Sequence, residues 1–275
     1  MKFAFQILIH KNLEQFKRLF RAIYSPQDYY LVHVDKKAGP LFREEVRTFL
    51  SGYSNCELMP SLRVTWAGYS IVDVELRGMK RLLELATDWD YYHNLSGQDF
   101  PLKRREEMVE FLTRHRGMNF MELCDLEVEK PNFLWHRFHR VHLELFGKIY
   151  RVPKIRRYRL GFHPWQGECW LTAHRSFCEY ATSAKTRFYR LFFRTTIVPD
   201  ESYFQTVLMN SPFRTRVVNN SLRYIRWIKG ADHPLTLTME DLSAMLSSDA
   251  FFARKFEPEA PVLSALEERL AVPAV

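Results

Sequence analysis

Polar side chains occur within or just after three apolar runs that are expected to form strands. The runs are Phe3–Ile9, Tyr29–Val34 and Tyr91–Leu95, and the polar residues are His10, His33, Asp35 and Asp99. In an open α/β sheet, ligands bind at the carboxyl ends of the parallel strands. The four side chains therefore either contact a ligand at this edge or close the turns that follow the strands, and the pattern alone leaves both interpretations open.

Two aspartates one residue apart, Asp88 and Asp90, form a pattern that could bind a divalent cation. Such a pair must follow a strand if its carboxylates are to reach the ligand-binding edge. Here it precedes the run Tyr91–Leu95, at the opposite end of the sheet, so we interpret it as a helix-to-strand turn. The segment Ser96–Asp99, at the ligand-binding edge, contains one aspartate, which is too few carboxylates for a hard-cation site. The sequence therefore predicts no metal site.

Glu201 follows Val198-Pro199-Asp200, which is typical of a helix start. A glutamate at such a position interacts favourably with the helix dipole. It can also act as a general base if it reaches a substrate hydroxyl. Asp200 is adjacent, but neighbouring side chains on a helix point about 100° apart, so we do not expect Asp200 to be the base.

Basic residues are concentrated between His136 and Arg159. Eight cations are opposed only by Glu144, so this stretch carries +7 of the chain's net charge of +8. A basic face implies nucleic acid, a membrane surface or a charged substrate as partner, or it is simply solvated. No helix-turn-helix, RNP-like or zinc signature accompanies it, so we expect no nucleic-acid partner. His136, His139 and His142 have helical spacing without a completing carboxylate or cysteine, which predicts a basic amphipathic helix.

The chain has 275 residues, of which 47% are hydrophobic, and this suits one large domain with a substantial core. Its four cysteines form no CxxC pair and suit no zinc module, so we expect free thiols. The first apolar run is interrupted by Gln6 and leads into a charged helix, unlike a signal peptide. No segment approaches the ~20 apolar residues of a membrane-spanning helix. These features predict a cytoplasmic protein in a reducing compartment.

Strand-like and helix-like segments alternate along the first half, which predicts an α/β domain with a largely parallel sheet. Further strands are expected at Cys56–Met59 and Met118–Met121, and helices at Leu13–Ile23, Leu41–Leu50, Ile71–Ala86 and Glu106–His115. The stretch 125–165 is basic and aromatic and receives no assignment. Beyond it we predict strands at Glu168–Ala173 and Leu222–Trp227, and helices at Ser176–Thr182, Glu201–Met209 and Met239–Leu246.

Six segments together resemble the core-2/I-branching β-1,6-N-acetylglucosaminyltransferase and peptide O-xylosyltransferase family. They are Leu19–Lys37, Trp66–Met79, Asn94–Lys103, Gln166–Tyr180, Val198–Ser211 and Phe251–Glu257. The third contains the sequence NLSGQDFPLK and the fifth VPDESYFQTVLMNS. The six blocks occur in the family's order and span nearly the whole chain, and chance does not explain that combination.

The resemblance implies a GT-A-like α/β fold with a mostly parallel central sheet flanked by helices. It implies a single glycosyltransferase domain over residues 1–275, with a nucleotide-binding half to about residue 125 and an acceptor-binding and catalytic half from about 126. The implied reaction is inverting transfer of a sugar, N-acetylglucosamine or xylose, from a UDP-sugar to a glycan hydroxyl. No metal or other cofactor is implied. A catalytically inactive nucleotide-binding homologue is the alternative.

Site residues carry over position by position. Glu201 matches the family's catalytic base, and Arg254 and Lys255 match basic residues at the donor diphosphate. A second family arginine matches either Arg223 or Arg226. Of the polar residues at the sheet edge, His10, His33 and Asp35 are placed near the base and ribose, and Asp99 either contacts the donor sugar or holds its loop.

The acceptor block contains Trp165, Gly167, Glu168 and Trp170. Aromatic faces stack on sugars and carboxylates bind their hydroxyls, but Glu168 replaces the family's usual small polar residue, so the acceptor stays open. Members of the family have a membrane anchor, a stem and several disulfides. This chain resembles a bacterial-type, cytoplasmic member, with a glycan or lipid-linked glycan acceptor and a peripheral contact with the inner face of the membrane through the basic segment 136–159.

Overall fold

Strands and helices alternate from the start of the chain. The computed structural model describes residues 1–156, 162–228, 230 and 233–271. The first-half strands are β1 (Phe3–Ile9), β2 (Tyr29–Val34), β3 (Cys56–Leu58), β4 (Tyr91–Ser96), β5 (Phe100–Pro101), β6 (Asn119–Met121) and β7 (Cys124–Asp125). The helices between them are α1 (Leu13–Ile23), α2 (Gly39–Leu50), α3 (Tyr69–Leu85) and α4 (Arg105–Arg114).

The second half contains shorter elements. Its strands are β8 (Arg140–Leu145), β9 (Lys148–Ile155), β10 (Trp165–Gln166), β11 (Leu171–His174), β12 (Val217–Asn219), β13 (Arg223–Ile225) and β14 (Phe252–Arg254). Its helices are α5 (Pro131–Leu134), α6 (Arg175–Thr182), α7 (Arg187–Phe193), α8 (Tyr203–Met209), α9 (Leu242–Ser247) and α10 (Pro261–Ala271). A π-helical turn spans Trp135–His139, and 3₁₀ turns span Lys36–Ala38, Ala184–Thr186, Pro199–Glu201 and Met239–Asp241.

The central sheet has seven strands in the order β12-β6-β11-β4-β1-β2-β3. Strands β4, β1, β2 and β3 run parallel to their neighbours within that group, and β12 is parallel to β6. Strand β11 is antiparallel to both β4 and β6. The prediction of a GT-A-like α/β fold with a mostly parallel central sheet flanked by helices is confirmed in this architecture.

The sheet is covered by helices on both faces, which explains why β1 reads as a nearly continuous apolar run. On one face, Phe3, Phe5, Ile7 and Ile9 pack with the apolar stripe of α1. On the other face, Ala4 packs with the stripe of α3, which consists of Val72, Leu76, Met79 and Leu82. Each helix therefore buries the apolar stripe that its 3.6-residue period predicts.

The carboxyl ends of β1, β2 and β4 meet at one edge of the sheet. The register pairs Ile9 with Val34 and Leu8 with Ser96. The Asp35 N–H donates to the carbonyl of Ile9 at 2.9 Å, so the segments after β1 and β2 lie side by side. This is the edge at which the sequence predicts a ligand.

A three-stranded sheet in the order β13-β14-β5 brings distant parts of the chain to the same region. Phe252 of β14 lies between Arg223 of β13 and Pro101 of β5. Because β5 directly follows the segment Ser96–Asp99, this pairing carries Arg254 to the end of β4.

The histidine spacing gave a wrong prediction. Trp135–His139 forms a π-helical turn, and His142 lies on strand β8, which forms an antiparallel hairpin with β9. Side chains alternate on a strand, so the three-residue spacing of the histidines does not place them on one face. Of the basic residues counted in this stretch, Arg157 and Arg159 lie outside the described residues.

The helix predicted over Glu201–Met209 also needs correction. Pro199–Glu201 forms a 3₁₀ turn, and α8 begins at Tyr203. Val198, before the turn, has a φ of 47°, in the left-handed region. Glu201 therefore belongs to a tight turn that precedes the helix, which separates its side chain from the first turn of α8.

Candidate active site

Glu201 is held by a buried arginine. Arg137 Nη2 donates to Glu201 Oε2 at 2.6 Å, and the two side chains are 7% and 33% exposed. A charge-assisted hydrogen bond of this length stabilises the ionised carboxylate. Because a third of the Glu201 side chain still faces solvent, the carboxylate is oriented and also accessible to a substrate.

Arg137 is fixed on several sides. Its Nη1 donates to the Val198 carbonyl at 3.3 Å and to Ser202 Oγ at 3.4 Å, on either side of the 3₁₀ turn. Its guanidinium lies 4.3 Å from the ring centroid of Phe133. The planar fork of arginine can make these contacts together, whereas a lysine ammonium cannot. From the sequence, Arg137 was predicted only to be part of the basic segment.

A second carboxylate, Asp200, adjoins Glu201 in the same 3₁₀ turn. Its Oδ1 is enclosed and has no hydrogen-bond partner in the described structure. Burial, together with the charge of Glu201, raises the pKa of Asp200 to about 7. In the described residues, Arg137 donates its short hydrogen bond to Glu201 and not to Asp200.

Glu75 of α3 lies close to Asp200. The pKa of Glu75 is raised to about 8, chiefly by burial and also by the charge of Asp200, against the lowering effect of the hydrogen bond from Asn94. Asn94 Nδ2 donates to Glu75 Oε1 at 2.8 Å and to the Cys169 carbonyl at 2.7 Å, and Asn94 Oδ1 accepts from the Leu171 N–H at 2.8 Å. Asn94 therefore connects β4, α3 and the segment before β11 under the site.

The backbone at Gly167 lies so close to neighbouring backbone that only a glycine fits at this position. Its N–H donates to the Glu201 carbonyl at 2.9 Å. A Cβ atom added to Gly167 would lie 1.9 Å from the carbonyl oxygen of Glu122. The backbone of this predicted acceptor residue therefore packs directly against the turn that carries Glu201.

Asp99 and Arg254 form a buried pair at the end of β4. Arg254 Nε donates to Asp99 Oδ1 at 3.0 Å, and the Asp99 side chain is fully buried. Asp99 also accepts from the Ser96 N–H and the Ser96 hydroxyl, both at 2.8 Å. The Arg254 guanidinium lies 4.2 Å from the ring centroid of Trp170. Asp99 thus holds its own loop and also orients Arg254, while the terminal nitrogens of Arg254 have no acceptor in the described part of the chain.

Arg223 and Arg226 have different surroundings. Arg223 is buried and donates to the backbone carbonyls of Asn94 at 3.1 Å and Ser221 at 3.2 Å. Burial lowers the pKa of Arg223 to about 10. Arg226 is paired with Asp241 instead. Lys255 is half-buried, and no carboxylate partner for it occurs among the described residues.

Of the residues at the sheet edge, His10 is exposed, whereas Asp35 and His33 are buried. Asp35 accepts from the Lys37 N–H at 2.8 Å. His33 Nε2 accepts from the Leu62 N–H at 3.0 Å. Burial lowers the pKa of His33 to about 4, so its ring is neutral at pH 7. Contacts of these residues with a nucleotide stay predictions.

The predicted acceptor residue Glu168 is held by side chains from other parts of the chain. Glu168 accepts from Ser221 Oγ at 3.1 Å and from Trp227 Nε1 at 3.3 Å, and its N–H donates to Glu122 Oε2 at 3.1 Å. Burial raises the pKa of Glu168, and the charge of Glu122 raises it further. Trp165 is half-buried, and its N–H donates to Thr206 Oγ1 at 3.0 Å.

Asp88 and Asp90 lie at the far end of the sheet, as predicted. Asp88 Oδ1 accepts from the Tyr29 hydroxyl at 2.6 Å, and Asp90 Oδ2 accepts from the Lys2 N–H at 3.0 Å. Both contacts are with residues at the amino-terminal ends of β1 and β2. Within the described residues, no three His, Cys, Asp or Glu side chains are arranged to hold a metal ion. The absence of a metal from the reaction stays a prediction.

Charged residues from several elements lie around the thiol of Cys169. Burial raises the pKa of its thiol well above the usual range, and four charged groups also act on it: those of Asp200, Arg254, Glu75 and Glu201. Residues from α3, the 3₁₀ turn and β14 therefore lie around one position. Sequence reasoning identified Glu201 and Arg254, but it missed Arg137, which lies outside the six blocks, and it gave no role to Glu75 and Asn94, which lie within two of them.

The family model of the core-2/I-branching enzyme matches residues 3–248. The chain belongs to the core-2/I-branching enzyme family. Its relatives include xylosyltransferase 2 of Mus musculus, which is 32% identical over 94% of this chain and 32% of that protein. Xylosyltransferase 1 of Canis lupus familiaris is 34% identical over 82% of this chain and 24% of that protein. The chain thus spans no more than a third of the length of these curated relatives.

Among solved structures, this core-2/I-branching family member is similar to the galactosyltransferase LgtC in complex with donor and acceptor sugar analogues. The TM-score is 0.44 at 11% identity, over 100% of this chain and 98% of that chain.

The four cysteines are free thiols: Cys56, Cys124, Cys169 and Cys178. None of the helices in the described residues combines the length and the apolar character needed to cross a membrane.

Proposed function

We propose that the protein is an inverting glycosyltransferase that moves a sugar from a UDP-sugar to an acceptor hydroxyl on a glycan, with Glu201 as the general base. The observation that carries the proposal is the Arg137–Glu201 contact of 2.6 Å, in which the carboxylate is oriented and remains a third exposed. Glu201 lies in the fifth of the six family-like blocks, its turn contacts Gly167 of the acceptor segment, and it is near the same thiol as Arg254.

In the proposed reaction, the acceptor oxygen attacks the anomeric carbon as Glu201 takes its proton. The bond from that carbon to the diphosphate oxygen breaks, and UDP leaves with the electron pair. Direct attack inverts the configuration, so an α-linked donor gives a β-linked product. General-base assistance of this kind contributes ~10²–10⁴-fold to a rate.

Arg254 and Lys255 would stabilise the charge that develops on UDP. Arg254 is oriented through its Nε by Asp99 and through its plane by Trp170, which leaves the terminal nitrogens for phosphate oxygens. A preorganised cation in a partly desolvated site stabilises a developing anion without reorganisation. Because Asp99 is engaged by Ser96 and Arg254, we assign it to holding this loop, and the proposed transfer requires no metal.

The names of the relatives favour xylose as the sugar, with N-acetylglucosamine as the other member of the family range. We also propose a cytoplasmic location, a glycan or lipid-linked glycan acceptor and a peripheral contact with a membrane. The four free thiols support a reducing compartment. The division into a nucleotide-binding half and an acceptor-binding half is part of the same proposal.

The test is UDP release from a panel of UDP-sugars, with and without EDTA, for wild type and Glu201→Gln. Glu45→Gln, on the exposed surface of α2, is the matched control. We expect release from one donor, unaffected by EDTA, unchanged in the control and reduced ~10²–10⁴-fold in Glu201→Gln.

Three results would contradict parts of the proposal. Release abolished by EDTA would contradict metal independence. UDP binding without release from any donor would favour the inactive homologue. Full activity of Glu201→Gln would remove Glu201 from the role of base.

A further inference from the structure

The antiparallel hairpin β8–β9 ends in an exposed aromatic side chain. Leu145 pairs with Lys148, so the connection consists of two residues, Phe146 and Gly147. Their φ angles are 52° and 77°. Phe146 is 94% exposed.

Phenylalanine is a poor choice for this turn. A two-residue connection with positive φ at both positions favours asparagine, aspartate or glycine at the first one, because a bulky side chain is strained in the left-handed region. The strain at Phe146 is not offset by burial, since the ring lies in solvent. Strain that the fold does not need points to a function for the side chain.

The face of the hairpin adjoining this tip is also apolar. Leu143 and Tyr150 are paired across the two strands, and Leu145 is two residues further along on the same face. These side chains are 38%, 47% and 48% exposed for Leu143, Tyr150 and Leu145 respectively. Together with Phe146 they form an apolar tip, which is the name we use for these four residues.

The hairpin that carries the apolar tip is basic. It contains four cations, at Arg140, Lys148, Arg151 and Lys154, and one carboxylate, Glu144. Lys148, which pairs with Leu145 at the tip, is exposed, and so are Arg151 and Lys154 further along β9. Glu144 is turned toward the protein, where its Oε2 accepts from the Ser70 N–H at 2.9 Å. The exposed charge of the hairpin is therefore positive.

We propose that the apolar tip inserts into the interface of a membrane that contains anionic lipids, with the lysines and arginine of the hairpin in contact with the headgroups. Apolar and aromatic side chains flanked by cations are the chemistry of interfacial membrane binding. An acidic glycan would satisfy the cations and stack on the rings of Phe146 and Tyr150, but it offers no apolar environment to Leu143 and Leu145. The membrane is therefore the partner that accounts for both features.

The hairpin is joined directly to the proposed active site. Strand β8 begins immediately after the turn Trp135–His139, which contains Arg137. Six residues of a strand extend about 17–20 Å. A membrane-bound tip would thus hold the start of β8, three residues after Arg137, about that distance from the lipid surface, with Glu201 nearby through its contact with Arg137. This position suits a lipid-linked acceptor. This inference extends the proposed membrane contact and is independent of the transfer reaction.

The test is co-sedimentation of the full chain with vesicles of phosphatidylcholine alone, or of phosphatidylcholine mixed with an equal amount of phosphatidylglycerol. We expect binding to the mixed vesicles that weakens as salt is added. Phe146→Asn places the preferred residue in the turn, so we expect a melting temperature equal to or above that of the wild type. The same variant should bind the mixed vesicles on the order of 10-fold or more weakly, since it removes the ring that the bound protein would bury in the membrane.

Two further variants complete the design. Leu41→Asn removes an exposed apolar side chain, 75% accessible, from α2 and should leave vesicle binding unchanged. Lys148→Gln combined with Lys154→Gln should weaken binding to mixed vesicles and reduce its dependence on salt.

Wild-type binding by Phe146→Asn would overturn the proposal, and so would failure of the wild type to bind either vesicle. Binding to a soluble acidic polysaccharide without vesicle binding would overturn it in favour of a glycan surface. UDP release, measured without vesicles on the same preparations, separates a failure of this inference from a failure of the transferase proposal.

Discussion

Arg137 Nη2 and Glu201 Oε2 are 2.6 Å apart, although the two residues are separated by 64 positions in the chain. We predict that Arg137→Gln lowers kcat/KM for the sugar transfer by ~10–10²-fold, because the base loses its orientation and the cation that stabilises its charge. Steady-state rates of the variant and the wild type test this effect.

Arg137→Lys is the companion variant. Lysine keeps the charge but not the fork that reaches Val198 and Ser202, so we expect it to recover only part of the rate lost in Arg137→Gln. Arg47→Gln, which replaces an exposed arginine on α2, should leave kcat/KM unchanged. An unchanged kcat/KM in Arg137→Gln would contradict this role for Arg137.

Gly167→Ala should destabilise the fold and displace the proposed base. Its Cβ would collide with the Glu122 carbonyl, which is backbone and cannot rotate away. We expect a loss of about 1–3 kcal/mol in the free energy of unfolding, typical of overpacking. Gly52→Ala is the control, because nothing lies within 4 Å of its Cβ position. Thermal unfolding of the two variants makes the comparison, and equal melting temperatures would contradict the close approach.

Asp99→Asn should weaken donor binding. The amide cannot match the carboxylate that accepts from Ser96 and from Arg254, so Arg254 loses its orientation. Hydrogen bonds to charged groups contribute about 1.5–3 kcal/mol, so we predict a ~10–10²-fold rise in the dissociation constant of UDP. Calorimetric titration with UDP measures it. Unchanged affinity would separate the Asp99–Arg254 pair from the donor site.

Glu75→Gln should change how stability depends on pH. The pKa of Glu75 is raised by burial from 4.5 to about 8, so the folded state binds a proton that the unfolded state releases between those values. Stability of the wild type therefore decreases as pH rises through this window. The variant has no carboxyl at this position, so its stability should decrease less over this window. At pH 9 it should be more stable than the wild type by on the order of 3 kcal/mol. Chemical denaturation at pH 5 and pH 9 tests the prediction. The same difference in stability between variant and wild type at both pH values would contradict it.

The architecture could be predicted from the sequence where side-chain periodicity reports burial directly. Strands β1 and β2 and helix α1 lie where the apolar runs and the helical stripe place them. Asp88 and Asp90 could be excluded as metal ligands at the carboxyl edge of the sheet, because they precede β4 and therefore lie at the amino-terminal end of that strand. The hairpin β8–β9 could not be predicted, because both of its faces have exposed side chains: Leu143 and Arg151 lie on opposite faces, and both are exposed.

The site was predictable only where the family's motifs mark it. Glu201 and Arg254 lie in recognisable blocks, whereas Arg137 is one basic residue among several in a segment without an assignable pattern. Its role arises from a contact across the fold, and no local spacing encodes that contact. Glu75 is similar, since a glutamate on a helix usually faces solvent and only the packing of α3 against the turn Pro199–Glu201 buries it.

The three-stranded sheet β13-β14-β5 has a consequence for how the protein is made. Strand β5 emerges from the ribosome early, but the strand that pairs with it, Phe252–Arg254, is synthesised about 150 residues later. Until then the carboxylate of Asp99 has no arginine partner. A nascent chain can therefore assemble most of the central sheet while its proposed donor site is still incomplete, and it gains that site only once translation has passed residue 254.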